Sequence, residues 1–542
     1  MPIDIDELLA RLSREQKAAL TAGADLWRTT AVPEAGIPQL KVTDGPIGAR
    51  GDLTSGATST CFPCGAALGA TWDVELAERV GAALAEETKA KGAHVLLGPT
   101  VNLHRHPLAG RNFECYSEDP ELTARVASAW IRGLQAGGVG SSIKHYVAND
   151  QEHERMTISS QVDERTLREL YLRPFEAAVA EADPWIVMAA YNRINGVYAT
   201  EHRELLIDVL KREWGWAGVV ISDWYATHDT ERAAMGGTDL EMPGPPAQLG
   251  PKLAEAAAAG VVTDEAVDEM ARRMLHLLDR AGRFDDPELQ PERTEETEPR
   301  RALAREVASS AIVLLRNDGT LPLDASSITR LAVLGPAAHP GFDQGGGSAQ
   351  VQSHRRVSPL DGLQAALPGV EIAHARGCAP GAIVPPVRPD LLGDGWAAAV
   401  WTNAEGAGEP VHLGTWTDAR YSHFGGRKLK GVDRPAPLRI ELRATLTADQ
   451  TGPWTFHLAC VGRTSVVIDG KEQMAHDEDG PQLIVLPTAL PRYEAVVELE
   501  AGRPVQIAIT LTATSRRCFP HLAFGATPPD PHAEIAAAAA LA

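Results

Sequence analysis

Residues 218–224 read Gly-Val-Val-Ile-Ser-Asp-Trp. Val219, Val220 and Ile221 are β-branched and form an unbroken apolar run, which suits a strand buried on both faces of a parallel sheet. Asp223 stands where such a strand leaves the core, with the indole of Trp224 beside it. In an α/β barrel that C-terminal rim carries the chemistry, because its loops face the pocket. Asp223 is therefore a candidate nucleophile or base, and Trp224 a candidate flat wall for a sugar ring. An aspartate here would equally suit the cap of the next helix.

The pattern repeats on either side. Helical stretches are expected at 4–21, 73–92, 120–137, 163–182, 201–214 and 263–281, with Thr71 and Asp163 as caps. Between them lie strand candidates at 93–98, 139–144, 185–190 and 217–222. This alternation over residues 1–284 predicts a TIM-type (β/α)8 barrel. Residues 285–300 carry three prolines and many charges without periodicity, and read as an inter-domain linker. A helix at 301–315 and a strand at 329–335 open a second α/β unit over 301–387. Gly345-Gly346-Gly347-Ser348 lacks the Lys-Ser/Thr of a phosphate loop and reads as a flexible loop. From 388 to 527 short alternating runs with turn signals predict an all-β sandwich, with Asp469-Gly470 as a hairpin cue. A helical pattern returns within 528–542.

At 542 residues two or three domains are expected. The net charge of −21 argues against nucleic-acid and anionic-membrane partners. The start of the chain lacks a basic region followed by an apolar stretch, so a cytoplasmic location is expected. Six cysteines in this length make no disulfide framework, and Cys61-x-x-Cys64 lacks two further zinc ligands. No metal or other cofactor is expected; a metal or nucleotide enzyme is disfavoured by the absence of ligand-spaced His/Cys and of G-x-G-x-x-G after a strand.

Each strand candidate runs into polar residues. Val42-Thr43 leads to Asp44, 93–98 to Arg111, 139–144 to Lys144-His145, and 185–190 to Tyr191. On one barrel rim these would converge with Asp223 into a pocket dense in hydrogen-bonding groups, as a polyhydroxylated ligand requires. Arg111, Lys144 and His145 are expected to lower the pKa of Asp223.

Six ordered motifs also resemble glycoside hydrolase family 3, in its β-glucosidase branch. They are Asp44-Gly45-Pro46-Ile47-Gly48-Ala49-Arg50, Phe62-Pro63 through Ala70-Thr71-Trp72-Asp73, Gly110-Arg111-Asn112-Phe113-Glu114, Tyr116-Ser117-Glu118-Asp119-Pro120, Lys144-His145-Tyr146-Val147-Ala148-Asn149 and Ser222-Asp223-Trp224. The resemblance implies Asp223 as nucleophile, Asp44 on the distal hydroxyls of a glucose, and Arg111, Lys144, His145, Tyr191 and Arg155 as further sugar contacts. It implies retaining double displacement on terminal β-D-glucosyl residues. It also implies an α/β sandwich domain after the barrel, interrupted by a protective-antigen-type module. In the family the acid/base Glu follows that module, and no residue here matches it. Glu114, Glu118, Glu152, Glu154 and Glu241 fall in motifs of other roles. The expectation is a chain truncated at its C-terminus, the missing carboxylate coming from a C-terminal fragment or a second chain; a homo-oligomer is compatible with it. Alternatives are a β-xylosidase or mixed glycosidase, or a sugar-binding chain with little or no turnover. The N-acetylglucosaminidase branch is disfavoured, because Lys144-His145 continues Tyr-Val-Ala-Asn.

Overall fold

The computed structural model describes residues 3–52, 57–339, 341–378, 384–422, 429, 431–432, 437–478, 492–514 and 520–542. They form two compact units. One comprises the chain to Asp52, Ala57–Leu314 and Asp343–His354; the other holds Leu315–Phe342 and Arg355–Ala542.

The first unit is built on a parallel sheet of five strands in sequence order: β1 (Val42–Asp44), β2 (Val95–Leu97), β3 (Gly140–Tyr146), β4 (Ile186–Ala189) and β5 (Val219–Ser222). Every residue of these strands is buried, which explains why β2, β4 and β5 read as apolar runs rather than alternations. Isolated bridges extend the hydrogen bonding past β5, from Ile221 to Leu240, Glu241 to Ala22, Gly23 to Thr29 and Arg28 to Lys41, which precedes β1. The first two are parallel and the last two antiparallel.

Helices Val74–Ala90, Pro120–Ala136 and Asp264–Arg280 pack around this sheet. Asp73 and Asp119 cap the first two by accepting from Leu76 and Leu122 N–H. Thr71 is not the cap; its hydroxyl bonds Leu68 O instead. Gly81 and Gly133 let helices Val74–Ala90 and Pro120–Ala136 touch backbone to backbone. A Cβ at Gly133 would sit 1.9 Å from Glu78 O, and one at Gly81 2.1 Å from Trp130 O.

The segment 285–300 is not free chain within this unit. Glu292 is buried against Lys41 Nζ at 2.7 Å, and Lys91 Nζ donates to Arg293 O. The glycine run at 345–347, expected to be a flexible loop, is also anchored. A Cβ on Gly345 would meet the Phe113 ring at 2.4 Å, Ser59 bridges Ser353, and the Gln344 side chain bonds both N–H and C=O of Val351. Glycine is used there for close approach as well as for turning.

The second unit contains a two-stranded parallel sheet, Arg330–Leu334 with Glu371–Ala375, and an antiparallel sandwich. One sandwich sheet runs in the order 412–416, 396–401, 438–447, 504–513, 463–468, 471–476; the other runs 419–422, 521–527, 452–461, 492–499. Strands 438–447 and 504–513 alternate buried and exposed residues as a half-buried strand must. The inward sides meet in a core that includes Trp396, Trp416, Trp454, Phe456 and Phe524. Asp469 and Gly470 both have positive φ and join paired strands in a two-residue turn, the geometry that Asp-Gly favours. Strand His412–Trp416 gave no sequence signal, since it lies at a sheet edge and buries only Trp416. Among the described residues no helix is long and apolar enough to cross a membrane.

Candidate active site

The strand ends of the first unit gather one constellation. Asp44 ends β1, Lys144 and His145 lie in β3, Tyr191 follows β4 and Asp223 follows β5. All five are buried. Lys144 Nζ lies 3.4 Å from Asp44 Oδ1, and Arg50 Nη1 lies 3.9 Å from Asp44 Oδ2. His145 Nε2 is 3.6 Å from Asp223 Oδ2. Arg111 reaches His145 Nε2 at 2.9 Å and pairs through Nε with Glu114. Arg155 covers the Tyr191 ring with its guanidinium 4.7 Å from the centroid, and bonds Glu152 at 2.7 Å.

The protonation state of His145 follows from its partners. Arginine only donates, so Nε2 must accept. Asn102 Nδ2 donates to the His145 carbonyl, and Asn102 Oδ1 accepts from the His145 N–H, which fixes the amide orientation. That oxygen also lies 3.1 Å from Nδ1, so Nδ1 carries the proton. His145 is thus a neutral ring held in one tautomer. Burial, then Arg111, Lys144 and Arg155, push its pKa well below the ordinary value. The contact with Asp223 is consequently not an ion pair.

Asp223 does not cap a helix. Its Oδ1 accepts from Trp224 N at 2.8 Å, and the next helix is capped by Asp229. Oδ2 is buried and takes no hydrogen bond of ordinary length from a described residue. Burial raises the pKa of Asp223, while Arg155, Arg111 and Lys144 pull it down; the net direction is up. The expected lowering is therefore overturned. Desolvation outweighs the cations, and the neutral His145 adds no positive charge. The nearby Tyr191 phenol is pushed well above its ordinary value, by burial first and then by Asp223.

Both portions of the chain match models of one family. The Glycosyl hydrolase family 3 N terminal domain matches residues 12–277, and the Glycosyl hydrolase family 3 C-terminal domain matches residues 312–530. The chain belongs to glycosyl hydrolase family 3. It is 42% identical over 527 residues to a beta-glucosidase of Rhizobium radiobacter, covering 94% of this chain and 63% of the relative. It is 41% identical over 482 residues to beta-glucosidase B of Emericella nidulans, covering 87% and 56%. The fold resembles the crystal structure of a beta-glucosidase from Kluyveromyces marxianus in complex with glucose, with TM-score 0.84 and 30% identity, over 99% of this chain and 66% of that one. The chain thus spans roughly three-fifths of the length of these curated relatives.

In this family 3 chain Glu114, Glu152 and Glu241 each hold partners of their own. Glu114 is buried and bonded to Arg111 and Thr100. Burial raises its pKa, but Arg111, Lys144 and those bonds outweigh it and hold the group below the ordinary range. Glu152 holds Arg155. Glu241 accepts from the N–H groups of Ala247, Gln248 and Leu249, a structural role. Glu118 and Glu154 are exposed. Trp224 lies in the core, its ring 5.7 Å from that of Trp27 and its Nε1–H donating to Leu26 O. Sequence reading missed Asn102, which holds His145 at three points, and Ser348, whose hydroxyl accepts from Arg111 at 3.3 Å. Asn102 lies between the strand candidate 93–98 and Arg111, but a neutral amide carries no chemical signal of its own. Ser348 is 237 residues from Arg111 in sequence. Among the described residues no group of three or more His, Cys, Asp or Glu is placed to hold a metal ion.

Proposed function

We propose that this chain carries the glucosyl-binding and nucleophile half of a retaining β-glucosidase. One observation carries the reading: a buried carboxylate oxygen of Asp223, without an ordinary hydrogen bond, stands among Arg111, Lys144 and Arg155. A desolvated carboxylate held by distant cations is poised to attack, and the anomeric carbon of a glucoside is the electrophile that fits. Asp44, flanked by Lys144 and Arg50, would take the sugar hydroxyls remote from the reaction. Arg111, His145, Tyr191 and Arg155 would line the same subsite. The similarity to beta-glucosidases, one of them crystallised with glucose, supports glucose as the glycone.

In this reading Asp223 displaces the aglycone to form a glucosyl-enzyme, and water then releases glucose. A general acid must protonate the departing oxygen from about 5–5.5 Å away. Glu114 and Glu152 are each tied to an arginine, so neither is assigned as the acid/base carboxylate.

The fold details belong to the same proposal. The bridges that lead from β5 back to Lys41 support a closed barrel of TIM type, with three staves reduced to single bridges. The domains are then a barrel at 1–284, a linker at 285–300, an α/β sandwich domain at 301–387 resuming at 528–542, and a protective-antigen-type insert at 388–527. The two-sheet antiparallel module supports the last of these.

A 2-fluoro-glucoside tests the function. Peptide mapping of the inactivated protein is expected to find the label on Asp223. Label on any other residue overturns the assignment.

A further inference from the structure

Asp150 ends the rim segment Lys144–Asp150 and is used by none of the steps above. It is buried, and its Oδ1 accepts from the Leu103 N–H at 2.5 Å. The residue before Leu103 is Asn102, whose side chain holds the N–H, C=O and Nδ1 of His145. His145 Nε2 holds Arg111 and lies 3.6 Å from Asp223 Oδ2. A continuous line of hydrogen bonds and backbone thus leads from Asp150 to the His145–Arg111 pair, and the ring of His145 packs against the reacting carboxylate. We propose that Asp150 is a positioning residue, holding Asn102, and through it the His145–Arg111 pair, in register with Asp223 and making that register depend on pH. The inference rests on the reading of Asp223 as nucleophile.

The surroundings suit such a role. Asp150 shares a small cavity with Arg111, Cys115 and Glu152, between the strand exits of β2 and β3. Arg105 and Tyr171 also face it. Burial pushes the Asp150 carboxyl up to about 7, against the Leu103 hydrogen bond and Arg105. The anion makes a charge-assisted bond to the Leu103 N–H, and the neutral acid a weaker one. Protonation therefore loosens the hold on Asn102 as pH falls through this range.

The test uses the whole chain and 2,4-dinitrophenyl β-D-glucoside, whose leaving group needs little protonation. The wild type is expected to show a step in kcat/KM near pH 7, falling on the acid side. Asp150→Asn, fixed in the neutral state, is expected to lack the step near pH 7 and to keep only the acid limb that Asp223 sets. Asp150→Ala is expected to lose about tenfold at alkaline pH, the scale of one hydrogen bond to a charged group. Hydrogen–deuterium exchange is expected to quicken in Asp150→Ala in peptides covering 99–106 and 140–148. A step near pH 7 that persists in Asp150→Asn overturns the proposal, as does exchange in Asp150→Ala equal to wild type. A wild type that neither hydrolyses the glucoside nor binds glucose defeats the glucosidase reading alone, because the exchange measurement still decides whether Asp150 positions the strand ends.

Discussion

The parallel sheet of the first unit and the antiparallel sandwich of the second bury their side chains in opposite ways. The sheet's rim buries Asp44, Arg50, Glu114, Lys144, His145, Asp150, Arg155 and Asp223. In the second unit the buried polar residues, among those described, are Ser358, Thr464 and His476. A sandwich interior made of Trp, Phe, Leu and Ile needs few polar partners, such as the acceptors of the Trp416 and Trp454 indoles, and stabilises in proportion to the area it covers. A rim dense in charge is costly to desolvate, and its groups are only partly paired. The difference separates a region that buries charge from a region that buries apolar surface.

The largest expected effect comes from Asp223→Asn, which should reduce glucosyl transfer on the order of 10⁴-fold, measured as aryl glucoside turnover. The same change should raise the melting temperature at pH 7. Asp223 has a raised folded pKa, so the folded state favours the neutral acid. Stability from this group is therefore fully present below the unfolded pKa of about 3.9 and is lost as pH rises through the folded value. Asparagine escapes that loss, and its advantage should close as pH falls toward about 4. A variant no more stable than wild type at pH 7 would break the contrast between the units.

Phe456→Ala sharpens it from the other side. Phe456 is fully buried in the sandwich, stacked 5.8 Å from Phe524. Its truncation should cost roughly 3–5 kcal/mol in denaturant unfolding. Labelling of Asp223 by the 2-fluoro-glucoside, assayed well below the melting temperature, should be unchanged.

Asn102→Ala is next. It removes three hydrogen bonds to His145, at about 1 kcal/mol each, so kcat/KM should fall about a hundredfold. A loss confined to stability would place Asn102 with the packing residues instead.

The smallest effect is expected of Arg155→Gln. Arg155 gives the largest favourable charge to the Asp223 carboxylate and covers Tyr191. Its loss should move the acid limb of the rate profile to higher pH, with a cost on the order of 1 kcal/mol in sugar affinity measured by calorimetry.

The apolar strands of the first unit were legible because a parallel strand buried on both faces announces itself as an apolar run, and its exit as a sudden charge; the short helices Thr230–Gly236 and Pro251–Ala258 were not expected, and the stretch 4–21 is two helices divided at Ser13. The Val219–Ser222 strand and Asp223 are the clearest case. The sandwich strands 438–447 and 504–513 were legible through their two-residue period. Edge strands such as His412–Trp416 were not, because one buried residue sets no period. Glycines 345–347 suggested a free loop, since the packing of Gly345 against Phe113 depends on a residue more than two hundred positions away.

The sequence by itself determined which residues end the strands of the sheet, and therefore which charged groups share its rim. That is local information, carried by hydrophobic period and by the abrupt change from apolar to polar. Only the tertiary structure decided the state of those groups. Burial raises Asp223 despite its cations, Asn102 and Arg111 fix His145 as a neutral ring, and Glu114 is spent on Arg111. Desolvation and hydrogen-bond direction depend on neighbours far apart in the chain, and no spacing within a motif encodes them.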